Sequence, residues 1–171
     1  MFIRFLTPIV ASLMRMDEAT WERHANPWSV WTRVASWPAL MVALWSVHWI
    51  GWWAVLPLGA LALWLWLNPR IFPSPRSTRS WAARAVMGER VYLLSYLHPI
   101  PIYHRNAATL LGIGSGIGAL IMLAGLLAAE PGAYLAGGVA TFLCKMWLVD
   151  RMVWLYDDMS REVPEYRAWL R

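Results

Sequence analysis

The chain has 171 residues, of which 59% are hydrophobic and 15% charged, with a formal net charge of +5 and 14 Trp. A soluble domain averages roughly 45–50% apolar and about 25% charged residues, so the balance points to an integral membrane protein. The basic residues flank apolar runs and do not form a soluble patch. Positive charge placed this way faces anionic lipid; membrane lipids are the expected partners and nucleic acid is excluded. Cys144 is the single cysteine, so no intrachain disulfide can form.

Residues 1–25 open like a signal peptide, but Thr7-Pro8 breaks the apolar run and no small-residue cleavage site follows. Phe5, Ile9, Leu13 and Met16 recur at helical spacing, with Arg15, Glu18 and Glu22 elsewhere on the wheel. This pattern predicts an amphipathic helix lying on the membrane surface. Asn26 before Pro27 is a helix-start signal: a capping side chain, then a residue lacking the N–H that a first turn cannot use. No Asp, Glu, Lys or Arg occurs from Val34 to Leu67. That stretch is too long for one crossing of a ~30 Å core, and Gly51 marks a turn within it. Two short crossings are therefore predicted, over 29–49 and 52–68.

The segment 69–106 is different: rich in Pro and Arg, it reads as an ordered cytoplasmic-side loop, then a helix over 81–97 capped by Ser80 and ended by His98-Pro99. A third span follows over 107–129. Its "GIGSGIG" holds two small-xxx-small pairs, Gly112/Gly116 and Gly114/Gly118, which predict a close-packing face. "EPG" at 130–132 turns the chain into a fourth span over 133–156, and 157–171 forms a cytoplasmic tail. The fold class expected is thus all-α and integral to the membrane: a four-transmembrane-helix bundle with an N-terminal interfacial helix and a structured cytoplasmic-side segment, all within one domain. The Arg and Lys distribution predicts both termini on the cytoplasmic side.

The fourth span carries charge. Counting from Gly132 at 1.5 Å per residue, Lys145 lies ~20 Å along the axis and Asp150 ~27 Å, so Asp150 and Arg151 reach the cytoplasmic boundary while Lys145 stays ~10 Å inside it. Burying an unpaired ammonium costs at least ~2.5–3.5 kcal/mol. Either the stem of Lys145 snorkels to the interface, or the ammonium meets water and a partner in a cavity open to the cytoplasm. The second alternative defines a candidate site. Asp150, Glu89, Lys145, His24 and His104 are its candidate catalytic groups, with Asp150 or Glu89 as acid/base and the two histidines as alternative proton carriers. Arg33, Asn26, Asn68, Arg70 and Arg151 are its candidate substrate-binding groups. Three histidines on one side with no ligand spacing do not make a metal signature, and no cofactor is expected.

"HANPWSVWTR", "LNPRIFPSPRS", "MGER" and "KMWLVDRMVWLY" together resemble a family of small Trp-rich bacterial membrane proteins with no assigned activity. The resemblance covers most of the chain and implies the same membrane fold in the bacterial inner membrane; it implies no chemistry. The function expected from the residues is a small membrane enzyme acting by acid–base chemistry on a lipid-like or terpenoid substrate at the cytoplasmic face. The alternative is a non-catalytic subunit, assembly factor or lipid-binding protein, in a homo-oligomer or a larger membrane complex.

Overall fold

The computed structural model describes residues 18–171, and every regular element among them is helical. Most of the interfacial helix expected over 1–25 lies outside these residues. Its described part is α1, Glu18–His24.

Asn26 starts α2 (Pro27–Trp45) as a side-chain cap, its Oδ1 accepting from Trp28 N at 2.9 Å, with Pro27 in the first turn. After a short α3 (Val47–Ile50), Gly51 adopts φ 56, ψ −134. An L side chain is strained in that backbone region, and a single 3₁₀ turn, Gly51–Ala54, reverses the chain into α4 (Val55–Ile71). The arms of this hairpin run antiparallel. Trp64 Nε1 donates to Ser36 Oγ at 3.1 Å, and Asn68 bridges Ser29 and Thr32, so the end of α4 lies beside the start of α2.

The second hairpin is α6 (Ile102–Leu127) and α7 (Pro131–Glu162). Its arms are held by backbone contact. A Cβ on Gly118 would meet Thr141 N at 2.8 Å and Gly137 O at 3.0 Å, and one on Gly125 would meet Tyr134 N at 2.3 Å. Of the two small-residue pairs in the sequence, Gly114/Gly118 faces α7, and the face continues to Gly125. Gly116 has nothing within 4 Å. Ala129 turns this hairpin with φ 55.

Between the hairpins sits α5 (Trp81–Leu93), capped by Ser80, whose Oγ accepts from Ala83 N. The helix is small-residued and buried nearly all round through Ala82, Ala83, Ala85, Val86, Gly88 and Val91. Gly88 lets it press onto α7, where a Cβ would fall 1.8 Å from Met152 O. Leu155, Tyr156, Met159 and Tyr166 complete this core; each fully buried large side chain contributes about 1.5–3 kcal/mol. The tail, with α8 (Pro164–Arg167), folds back on the 72–80 loop. Thr78 Oγ1 donates to Trp169 O at 2.7 Å, and Thr78 N to Arg171 O at 2.8 Å.

The hairpins are pinned together at the end away from α5. Trp45 packs on Tyr134 at 4.9 Å, the Tyr134 hydroxyl donates to Met41 O, and His48 Nε2 lies 3.0 Å from Leu126 O. Exposed Trp side chains gather at both ends of the first hairpin: Trp28 and Trp31 at one, Trp49, Trp52 and Trp53 at the other. Leu110, Leu120 and Leu127 lie exposed along α6.

Candidate functional site

Where α5 holds the hairpins apart, a cavity of about 440 Å³ opens between them. Apolar side chains make most of its wall, among them Val34, Trp37, Leu65, Phe142 and Met146. The acidic and basic side chains that border it come from four different helices: His24 from α1, Arg33 from α2, Glu89 from α5 and Lys145 from α7.

The chain delivers His24 and Arg33 together because the Asn26 cap turns α1 into α2. Arg33 Nη1 lies 2.7 Å from His24 Nε2 and 2.8 Å from Nδ1. An arginine only donates, so the ring must offer a lone pair and be neutral. Burial first, and the Arg33 charge second, hold the His24 pKa well below the usual histidine value. Ser29 Oγ lies 3.5 Å from Nδ1 but commits its own hydrogen to Asn68 Oδ1 at 2.7 Å. Whichever ring nitrogen lacks a proton accepts from Arg33 Nη1, which lies within hydrogen-bond distance of both. The chain continues through Asn68 Nδ2 to Thr32 Oγ1 at 2.8 Å, and from Thr32 to Trp28 O at 2.6 Å. Ser29 and Asn68 are fully buried, so the network is a fixed scaffold behind the cation.

Glu89 is the one carboxylate among the described residues lining the cavity, and its charge reaches Arg33. Lys145 faces the cavity from the opposite hairpin, with no ion pair to another described residue. Among the described residues no group of three His, Cys, Asp or Glu converges as metal ligands would.

The other candidates lie elsewhere. Asp150 accepts from Trp81 Nε1 at 2.9 Å and sits 3.7 Å from Arg151, tying α5 to α7 outside the cavity wall. Arg151 lies over the Trp154 ring at 4.1 Å, and Arg70 over Trp66 at 4.2 Å. His104 is buried, with Nε2 3.0 Å from Asp158 Oδ2, an oxygen that also accepts from Tyr103. Asn26 caps α2 and donates to Pro73 O at 2.9 Å. Asn68 stands behind the cavity in the network just described. Sequence reasoning did not single out Tyr92, Ser115 or Thr141, which also line the cavity. The readable signal for two of them was a small hydroxyl residue within the uncharged middle of an apolar helix, Ser115 in α6 and Thr141 in α7.

Among the described residues three helical stretches, Pro27–Ile71 with its internal turn, Ile102–Leu127 and Pro131–Glu162, are long and apolar enough to cross a bilayer, which makes this a membrane protein by length and composition. The chain belongs to the Family of unknown function (DUF6653), whose model matches residues 8–169. No curated protein and no solved structure matches it.

Proposed function

We propose that this chain is a small enzyme of the bacterial inner membrane, acting by acid–base chemistry on a lipid-like substrate held in the cavity between its hairpins. In this reading the two arms of Pro27–Ile71 cross the bilayer separately. That gives four spans, both termini cytoplasmic, and the charged end of the cavity toward the cytoplasmic face. The observation that carries the proposal is the meeting of His24, Arg33, Glu89 and Lys145 on one apolar-walled cavity. Such a combination is the usual form of a small-molecule site, and intramembrane charge is costly enough to mark function.

Glu89 is the acid/base. His24 is bound to Arg33 and serves as its positioning residue, while Arg33 and Lys145 stabilise negative charge developing on the substrate. Asp150, Arg151 and Arg70 are engaged outside the cavity wall, Asp150 joining α5 to α7 and the two arginines lying over tryptophans of their own helices. One observation favours the rival class, a lipid binder or subunit without turnover: with His24 engaged by Arg33, Glu89 is the one carboxylate among the described residues lining the cavity.

The test is turnover. Protein purified in mild detergent is incubated with isotope-labelled membrane lipid extract, and products are followed by mass spectrometry. Conversion by the wild type and its loss in Glu89→Gln supports the enzyme. Absence of wild-type conversion, or undiminished conversion by Glu89→Gln, overturns the assignment.

A further inference from the structure

The seam between the hairpins is a ladder with a four-residue step. Trp45 meets Tyr134, Met41 fills the space beside Gly138, and Trp37 stacks on Phe142 at 6.5 Å. One turn further along both antiparallel helices, the next rung falls on Arg33 of α2 and Met146 of α7, with Lys145 beside Met146, three residues past Phe142. From the Trp37–Phe142 pair Arg33 is ~6 Å along α2 and Lys145 ~4.5 Å along α7, so the two cations stand at nearly one depth on facing helices. All three residues border the cavity.

An apolar ladder therefore ends in a like-charge rung. Two cations facing each other between apolar walls repel with little screening. Glu89 supplies one negative charge against the two positive ones, and the neutral His24 ring supplies none, so the lining carries one net positive charge. A cavity of 440 Å³ lies in the lower part of the about 300–1,000 Å³ range of small-molecule sites, room for a headgroup and one chain.

We propose that the cavity binds a single-chain amphiphile whose oxyanion headgroup, a carboxylate or a phosphate, bridges Arg33 and Lys145 while its chain passes the Trp37–Phe142 pair. Arg33, held on one side by His24, keeps its remaining N–H groups for the anion, and the flexible Lys145 closes the bridge as a point charge. The ligand thereby completes the last rung and joins the hairpins directly at the end where protein contacts link them through α5, as in the Trp31–Trp81 stack and the Trp81–Asp150 hydrogen bond. This rests on the reading above only in taking the cavity as the ligand site; it requires no turnover.

The experiment is thermal unfolding in a neutral sugar-headed detergent, with dodecyl phosphate, dodecanoate and dodecanol as probes. At least one anion should raise the Tm of the wild type, and dodecanol should not. A response to dodecyl phosphate points to a phosphate-headed lipid, and a response to dodecanoate points to a free fatty acid. Lys145→Met should weaken anion binding about tenfold or more, the usual loss for a charged hydrogen bond, and Lys145→Arg should restore it. Arg33→Gln serves as a second variant should Lys145→Met not fold. Equal stabilisation by dodecanol, or anion binding undiminished in these variants, overturns the proposal. Glu89→Gln separates the two readings, because it should abolish turnover while retaining anion binding. Anion binding without wild-type turnover sinks the enzyme alone, and Glu89-dependent turnover without anion preference sinks the bridge alone.

Discussion

Arg33 donates to the ring of His24, with Nη1 2.7 Å from Nε2, and a histidine in that position is a base that the fold keeps unprotonated. The relationship inverts a common arrangement in which histidine gains a carboxylate and a proton together. Protonating the ring would break the hydrogen bond and set two cations against each other within a buried pocket.

Acid should therefore destabilise the protein through this residue. The folded His24 pKa is depressed, whereas the unfolded residue titrates near the usual 6.5. Above pH 6.5 both states are neutral and the term vanishes. Below it the unfolded chain binds a proton that the folded one refuses, so stability falls with pH by up to about 1.4 kcal/mol per unit from this group. His24→Gln keeps an acceptor for Arg33 and should show a flatter Tm profile than the wild type between pH 6.5 and the onset of acid unfolding. Identical slopes would refute the neutral-ring reading.

Gly88 is the second point of leverage. A methyl group there collides with Met152 O, and neither backbone can yield cheaply. Gly88→Ala should destabilise by about 1–3 kcal/mol and, by lifting α5, carry Glu89 away from the cavity. Thermal unfolding together with the turnover assay would detect both effects. By contrast Gly116→Ala, with nothing within 4 Å, should be nearly silent.

Two buried tyrosines make a matched pair. The Tyr156 hydroxyl donates to Tyr166 O at 3.0 Å, whereas the Tyr166 hydroxyl is buried with no hydrogen-bond partner among the described residues. Tyr156→Phe should cost about 0.5–1.5 kcal/mol, and Tyr166→Phe should be neutral or stabilising. Denaturation of both variants under one set of conditions checks the ordering.

Asp150 separates architecture from chemistry. Asp150→Asn preserves an acceptor for Trp81 Nε1 and should leave both stability and turnover close to wild type. Asp150→Leu strands the indole N–H and should cost about 1–3 kcal/mol. Loss of turnover in a stable Asp150→Asn protein would return this residue to the reaction.

Much of the architecture is visible in local signals. Asn26-Pro27 and Ser80 act at helix starts through backbone N–H groups a few residues away, and Gly51 acts through its own φ. The third span and the glycine pair Gly114/Gly118 follow from composition. What the letters do not reveal is the placement of α5. An Arg-rich segment with small apolar residues reads as surface, and only the fit of Gly88 against Met152 O shows why it lies between hairpins. The candidate site divides along the same line. His24, Arg33, Glu89 and Lys145 share a cavity because four elements converge there, whereas Asp150, Arg151, Arg70 and His104 satisfy partners nearby. Composition could group all eight at one mouth but could not separate those bordering the cavity from those supporting its walls.

The exposed indoles at the two ends of the first hairpin have a consequence for the ligand. Trp28 and Trp49 are ~30 Å apart along the helix axis, close to the hydrocarbon thickness of a bilayer, so with each arm crossing as proposed above the two groups would act as fenders against vertical drift. Arg33 is then moored ~7–8 Å beneath the Trp28 level. An anionic amphiphile in the adjoining leaflet would reach it by sinking little more than the depth of its own polar cap, without turning over or leaving its monolayer.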